Sequence, residues 1–85
     1  MSDSDDSTVA ETLMALAEHR GRDKSFCPSE AARALFDEQH WRDHMGDVRR
    51  VALDLAREGR LDMLARGHRL SPEVAYRGPI RLRLG

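Results

Sequence analysis

The amino-acid sequence predicts an α+β fold, mainly α-helical, with three helices and a small antiparallel sheet of two or three strands. Two observations predict this class. Apolar residues recur at helical spacing in three separate segments, and two short segments near the C-terminus alternate apolar with polar residues around a glycine-containing turn. Helix, helix, turn, helix and β-hairpin, in this order, is the arrangement of a winged helix, which we therefore predict.

Length and composition limit the classes of protein to which the chain can belong. Its 85 residues suffice for one core, predicted over residues 8–85, and the polar, acidic residues 1–7 are predicted to be a disordered tail. No apolar run is long enough to cross a bilayer. The first residues lack the features of a secretory signal. A single cysteine excludes an intramolecular disulfide. We therefore expect a cytoplasmic protein without a membrane partner.

The first helix is predicted over residues 8–20. Thr8 and Glu11 have the spacing of a capping box, apolar residues follow at helical spacing, and Gly21 stands where a left-handed cap is common. Residues 24–27 are too few for a helix and precede a proline, which disfavours helical geometry at the residue before it. We predict a short edge strand there.

Two further helices are predicted on either side of a turn at residues 36–40. The first begins at Pro28, which suits the first helical turn, and ends near Asp37. The second covers residues 41–58, where an apolar stripe lies opposite a charged face. Because Gly46 weakens this helix near its start, the first turn is predicted to be a separate or kinked piece.

The sheet is predicted from the C-terminal third. Residues 60–65 and 79–84 alternate as strands do, a turn is predicted at 66–69, and residues 70–78 are predicted to form a long wing. The apolar sides of all these elements should meet in one core. The predicted core residues are Leu13, Leu16, Leu35, Val48, Ala52, Leu55, Leu61, Ile80 and Leu82.

Four short motifs stand out: KSFCPSEAARAL at residues 24–35, WR at 41–42, VR at 48–49 and GPIRLR at 78–83. Together they resemble a small bacterial family known as domain of unknown function 3253, and the resemblance covers nearly everything after Thr8. The resemblance implies a winged-helix-like fold and no catalytic activity.

No residues have the spacing of a catalytic or metal site, so we expect no enzymatic activity, metal or cofactor. Cys27 precedes a helix, where a thiol can become reactive, but a lone cysteine is expected to be structural. His40 and His44 have i, i+4 spacing, which suits a metal on one helix, yet His40 is predicted to precede the helix. Ser29 and Glu30 are expected to cap their helix.

The charge is distributed unevenly, although the net charge is −1. Residues 60–85 carry six arginines and two acidic residues. Such a local basic field can attract nucleic acid. An arginine- and alanine-rich composition is also typical of proteins from GC-rich genomes, so the two explanations stay open.

Two functions are consistent with the sequence. In the first, the domain binds duplex DNA through the 41–58 helix and the 66–69 wing turn. Asp43, Asp47 and Asp54 on the exposed face of that helix repel phosphate and count against this function. The arginines predicted to reach the duplex are Arg42, Arg49, Arg50, Arg66 and Arg69.

In the second, the fold is a protein-interaction or dimerisation module that does not bind DNA, and arginine–aspartate pairs provide its specificity. The surface predicted for this function contains Trp41, Arg81 and Arg83. Trp41 is also expected to anchor the core, because tryptophan is costly to expose.

Overall fold

The structure is a computed structural model that describes residues 6–74, 76 and 78–85. Its three helices and three-stranded antiparallel sheet form the predicted α+β class, in a winged-helix-like layout. The elements, in chain order, are α1 (Asp6–Arg20), α2 (Pro28–Leu35), a 3₁₀ helix (Trp41–His44), α3 (Met45–Arg57), β1 (Leu61–Ala65), β2 (His68–Leu70) and β3 (Arg81–Leu84).

The first helix begins two residues before its predicted start. Asp6 and Ser7 lie in the first turn of α1, whereas residues 1–5 of the predicted tail lie outside the described residues. Gly21 ends the helix as expected. It has a φ of 79°, and its amide donates a hydrogen bond to the carbonyl oxygen of Ala17 at 2.9 Å.

The segment predicted as one long helix is divided near its start, as the sequence indicated. Trp41–His44 is a 3₁₀ helix, and the α-helix begins at Met45, one residue before Gly46. At the other end, Gly59 follows α3 with a φ of 79°. The WR motif at residues 41–42 therefore lies on its own short helix rather than on α3.

β1 is the central strand, since the strand order is β2-β1-β3 and both pairings are antiparallel. The predicted edge strand at residues 24–27 is reduced to one bridge at Phe26. The Phe26 amide donates to the Leu82 carbonyl oxygen at 2.8 Å, and the Leu82 amide donates back to Phe26 at 2.7 Å. This bridge joins the segment before α2 to the outer edge of β3.

The turn after β1 is shorter than the predicted turn at 66–69. Only Arg66 and Gly67 separate the two strands, and His68 and Arg69 belong to β2. Arg66 has a φ of 53° and Gly67 a φ of 81°, and two positive values in a two-residue hairpin loop are typical of a type I′ turn. Because β2 and β3 lie on opposite sides of β1, the connection between them, residues 71–80, has to pass from one edge of the sheet to the other.

All the elements contribute to one core, as predicted. The predicted core residues are buried, except that Leu16 and Leu35 are partly exposed and pack against its edge. Phe26 is fully buried and Trp41 is 7% exposed, and both belong to the same cluster. Among the described helices, none combines the length and the apolar character that a membrane span requires.

Candidate interaction surfaces

A groove lies between α3 and the loop of residues 71–80; we call it the α3–loop groove. Leu53, Met63 and Ile80 give it an apolar lining, and it encloses about 460 Å³. Val74 and Tyr76 of the loop also line it, and their side chains remain 67% and 38% exposed. Large apolar side chains gathered around an open groove are a feature of binding surfaces.

The lining of this groove follows from the periodicity of α3, which has three distinct faces. One face is in the core and contains Val48, Ala52 and Leu55. A second borders the groove and contains Gly46, Arg49, Arg50, Leu53 and Arg57. The third is exposed and acidic, with Asp47 and Asp54 on the helix and Glu58 just beyond it. The exposed surface of α3 is therefore apolar and basic on one side and acidic on the other.

Arg49 links α3 to the loop. One of its terminal nitrogens donates a hydrogen bond to the Gly78 carbonyl oxygen at 3.0 Å. Arg49 also lines a second depression beside the groove, together with Pro28, Met45 and Pro79. Among the described residues it has no carboxylate partner, so its positive charge is not neutralised by an ion pair. It lies between the second depression and the groove, whose lining also contains Arg50, Arg57 and Glu73.

Arg50, also predicted to contact DNA, is bound within the protein. Its two terminal nitrogens donate to the two carboxylate oxygens of Asp6, each at 2.9 Å, and one lies 3.4 Å from Asp47. The hydrogen bond from Arg50 lowers the pKa of Asp6 below its ordinary value, and the same bond raises the pKa of Arg50. A phosphate would have to compete with two carboxylates for this guanidinium.

The other three predicted DNA contacts lie on different elements. Arg42 is exposed on the 3₁₀ helix, with its guanidinium 4.5 Å from the Trp41 ring centre. Arg66 is exposed at the hairpin turn and has no ion pair with another described residue. Arg69 lies on β2, with its Nε 3.3 Å from Asp62 on the neighbouring strand. Arg42 and Arg66 thus remain available to an anion, whereas Arg69 is paired.

Trp41, Arg81 and Arg83, predicted for the alternative surface, each have partners within the chain. Trp41 is buried, which confirms its role as a core anchor. Arg81 donates from Nε to the Ser25 hydroxyl at 2.7 Å and from a terminal nitrogen to the Ser25 carbonyl oxygen at 2.8 Å. Arg83 donates to Asp62 at 3.2 Å. The two arginines of β3 therefore join neighbouring segments.

Cys27 takes part in the cap of α2. Its amide donates to the Glu30 carboxylate at 3.2 Å, and the Ser29 hydroxyl lies 3.1 Å from its sulfur. Glu30 also pairs with Arg20 of α1. The expected capping role of Glu30 is confirmed, and the same carboxylate ties α2 to α1.

The two histidines with i, i+4 spacing have separate partners. Nδ1 of His40 lies 2.6 Å from Asp37, and this hydrogen bond lowers the pKa of the Asp37 carboxyl. His44 stacks on Phe36 with ring centres 3.7 Å apart. Across residues 6–74, 76 and 78–85, no group of three or more His, Cys, Asp or Glu could hold a metal ion.

The α3–loop groove was not predicted from the sequence, although three of its apolar residues stand at positions where the sequence pattern does not require them. Leu53 is an apolar residue outside the core stripe of its helix, and Val74 and Tyr76 are large apolar residues in a segment predicted as a loop. Each is ordinary when taken alone. Only the fold brings the three to one groove.

Comparison with known proteins agrees with the four sequence motifs. Residues 6–85 match a family described as "Protein of unknown function (DUF3253)". A search of curated proteins finds no match to the chain. Because the family match covers all but the first five residues, the chain belongs to the DUF3253 family.

Proposed function

We propose that this domain is a non-catalytic protein-interaction module of the cytoplasm, and that its α3–loop groove binds a segment of a partner protein in which apolar side chains flank a carboxylate. The observation that carries this proposal is the placement of exposed Val74 and Tyr76 around the same groove as Leu53 and the unneutralised Arg49. The apolar residues provide burial for a partner, and Arg49 provides a site for its charge.

The size of the groove suits side chains rather than a whole folded surface. A space of about 460 Å³ lies within the range of compact ligand sites, and burying one large apolar side chain contributes about 1.5–3 kcal/mol. The second depression continues the apolar surface on the other side of Arg49. A segment with one apolar side chain in each depression would bring an intervening carboxylate to this arginine.

The electrostatics of α3 favour a protein partner over duplex DNA. Its acidic face would approach the phosphates together with its basic face, because both lie on the same exposed helix. Arg50 would first have to leave Asp6, and Arg57 lies 3.9 Å from Asp54. Both arginines border the groove, so they can instead set the register of a partner at its rim.

Selection from a random peptide library tests the proposal. The wild-type protein should enrich peptides in which a carboxylate lies between two apolar residues, with dissociation constants in the micromolar range typical of short segments in small grooves. Leu53→Asp and Val74→Asp should abolish their binding, and Arg49→Gln should weaken it about tenfold, as expected for one charge-assisted hydrogen bond. Ala15→Asp, on the exposed side of α1, is the matched control.

Circular dichroism must first show that each variant is folded. Enrichment of peptides that bind Leu53→Asp, Val74→Asp and wild type equally would refute the groove as the binding site, as would failure to enrich any sequence. Sedimentation at several protein concentrations provides a second readout. A dimer abolished by Val74→Asp would identify a second copy as the occupant and would overturn the proposed heterologous partner.

Duplex DNA is the second candidate, supported by the winged-helix-like layout and by the availability of Arg42 and Arg66. Its test is the salt dependence of binding to a short duplex. Removing one arginine that neutralises a phosphate should lower the slope of log K against log salt concentration by about 0.9. Arg66→Ala should therefore flatten the slope by about one unit. Absence of binding at low salt would remove this candidate.

A further inference from the structure

We propose that Arg33 and Arg42, both held against Trp41, form a binding site for phosphate groups at the junction of α2 and the 3₁₀ helix. The guanidinium carbons of Arg33 and Arg42 lie 4.6 and 4.5 Å from the Trp41 ring centre. This site is separate from the α3–loop groove, since none of the three residues lines it.

Two features together distinguish this pair from the other described arginines: neither has an ion pair, and both lie over an indole. Arg22 and Arg66 also lack an ion pair with a described residue, but neither lies over the Trp41 ring. Most arginines of the described chain are bound to a carboxylate or a carbonyl oxygen of the protein itself: Arg20, Arg49, Arg50, Arg57, Arg60, Arg69, Arg81 and Arg83. Arg33 and Arg42 have no such partner among the described residues, and both are exposed. Their charges are therefore not neutralised by a direct ion pair.

The nearby carboxylates do not fill the site. Asp37, Glu38 and Asp43 are close in the sequence, yet none forms an ion pair with Arg33 or Arg42. Asp37 is instead engaged by His40. The two guanidinium groups thus contact the indole rather than the carboxylates beside them in the chain.

A guanidinium that lies against an indole is well suited to bind an oxyanion. The ring face contacts the plane of the guanidinium and leaves its N–H groups, which lie in that plane, free to donate. Planar N–H pairs match the oxygens of a phosphate, and side chains that are already ordered lose less entropy when a ligand binds. Both arginines contact one indole, so the proposed ligand is one that offers a phosphate group to each of them, either a polyphosphate or neighbouring phosphates of one strand.

The burial of Trp41 fixes the site in the fold. Its side chain is 7% exposed, and its indole Nε1 is buried without a hydrogen-bond acceptor among the described residues. The ring is therefore held by core packing. A ligand that moves either guanidinium would change the environment of an indole whose own position is fixed.

Fluorescence tests the proposal directly, because Trp41 is the one tryptophan of the chain. Inorganic pyrophosphate and a short DNA duplex are titrated separately, with sodium chloride adjusted to keep the ionic strength constant. Wild type should show a saturable change in emission with at least one probe. Arg33→Gln and Arg42→Gln should each weaken the affinity about tenfold. Arg22→Gln, which removes an exposed arginine that does not lie over the Trp41 ring, should leave the affinity unchanged.

The two probes distinguish the source of the phosphate. Saturation by pyrophosphate alone indicates a small phosphorylated ligand, and tighter binding of the duplex indicates a nucleic-acid backbone. Absence of a saturable change with both probes overturns the proposal, as does an equal loss of affinity in Arg22→Gln. If the glutamine variants unfold, Arg33→Lys and Arg42→Lys keep the charge but lose the planar donors, and wild-type affinity in both also overturns it.

Discussion

Replacement of Phe26 by alanine tests the central packing of this fold. The Phe26 side chain is fully buried, and its backbone makes both hydrogen bonds of the bridge to Leu82. Alanine keeps those two bonds, so the substitution removes the side chain alone. Deleting a buried phenylalanine ring costs about 3–5 kcal/mol, and an 85-residue domain has a total stability of about 4–13 kcal/mol. Phe26→Ala should therefore remove a large part of the free energy of unfolding.

The other phenylalanine of the chain provides a matched control. Phe36 is only partly buried and stacks on His44 at the edge of the core. Phe36→Ala should cost about 1–2 kcal/mol, because much of the ring already contacts water. Urea unfolding followed by far-UV circular dichroism measures both values. A cost for Phe36→Ala equal to or above that for Phe26→Ala would refute the assignment of Phe26 to the centre of the core.

Three further predictions concern the core, the N-terminal ion pair and the hairpin. Val48→Asp should unfold the domain, since an unpaired charge at a fully buried position costs several kcal/mol, and a cooperative melt near the wild-type temperature would contradict this. The folded pKa of Asp6 is below 3.8, so its pairing with Arg50 stabilises the fold above that pH and is lost as the pH falls through the lowered value. Asp6→Asn should therefore melt slightly below wild type at neutral pH, and this difference should shrink as the pH falls through the lowered pKa of Asp6; a difference that does not change with pH would count against the pair. Arg66→Asn should raise the free energy of unfolding by roughly 0.5–1 kcal/mol, because asparagine tolerates the positive φ of a type I′ turn better, and a lower urea midpoint would exclude that turn.

The helices could be predicted from the sequence because their signals are local. Pro28 fixes the start of α2, Gly21 and Gly59 mark the ends of the helices before them, and the apolar stripe of α3 is complete within its own segment. The division of the long helix near Gly46 was also predictable from one weak helix former. Each of these signals acts over one or two turns of the chain.

The sheet was only partly predictable, since a strand needs a partner elsewhere in the chain. The alternation at residues 60–65 and 79–84 predicted β1 and β3, but His68 and Arg69 become part of a strand only by pairing with β1. This tight turn requires a positive φ at Arg66, and an arginine in the sequence does not predict a positive φ. The same dependence on pairing reduced the predicted edge strand to one bridge at Phe26.

The candidate binding residues depended most on the tertiary structure. The sequence by itself determined that the chain is rich in arginine, and it predicted that Trp41 is buried in the core. It did not determine which arginines lack a partner, because the partners are distant in the sequence. Arg50 donates a hydrogen bond to Asp6, which is 44 residues away, and Arg49 donates one to Gly78, which is 29 residues away. An arginine contributes to binding through the charge that its neighbours leave unneutralised, and those neighbours come together only when the chain folds.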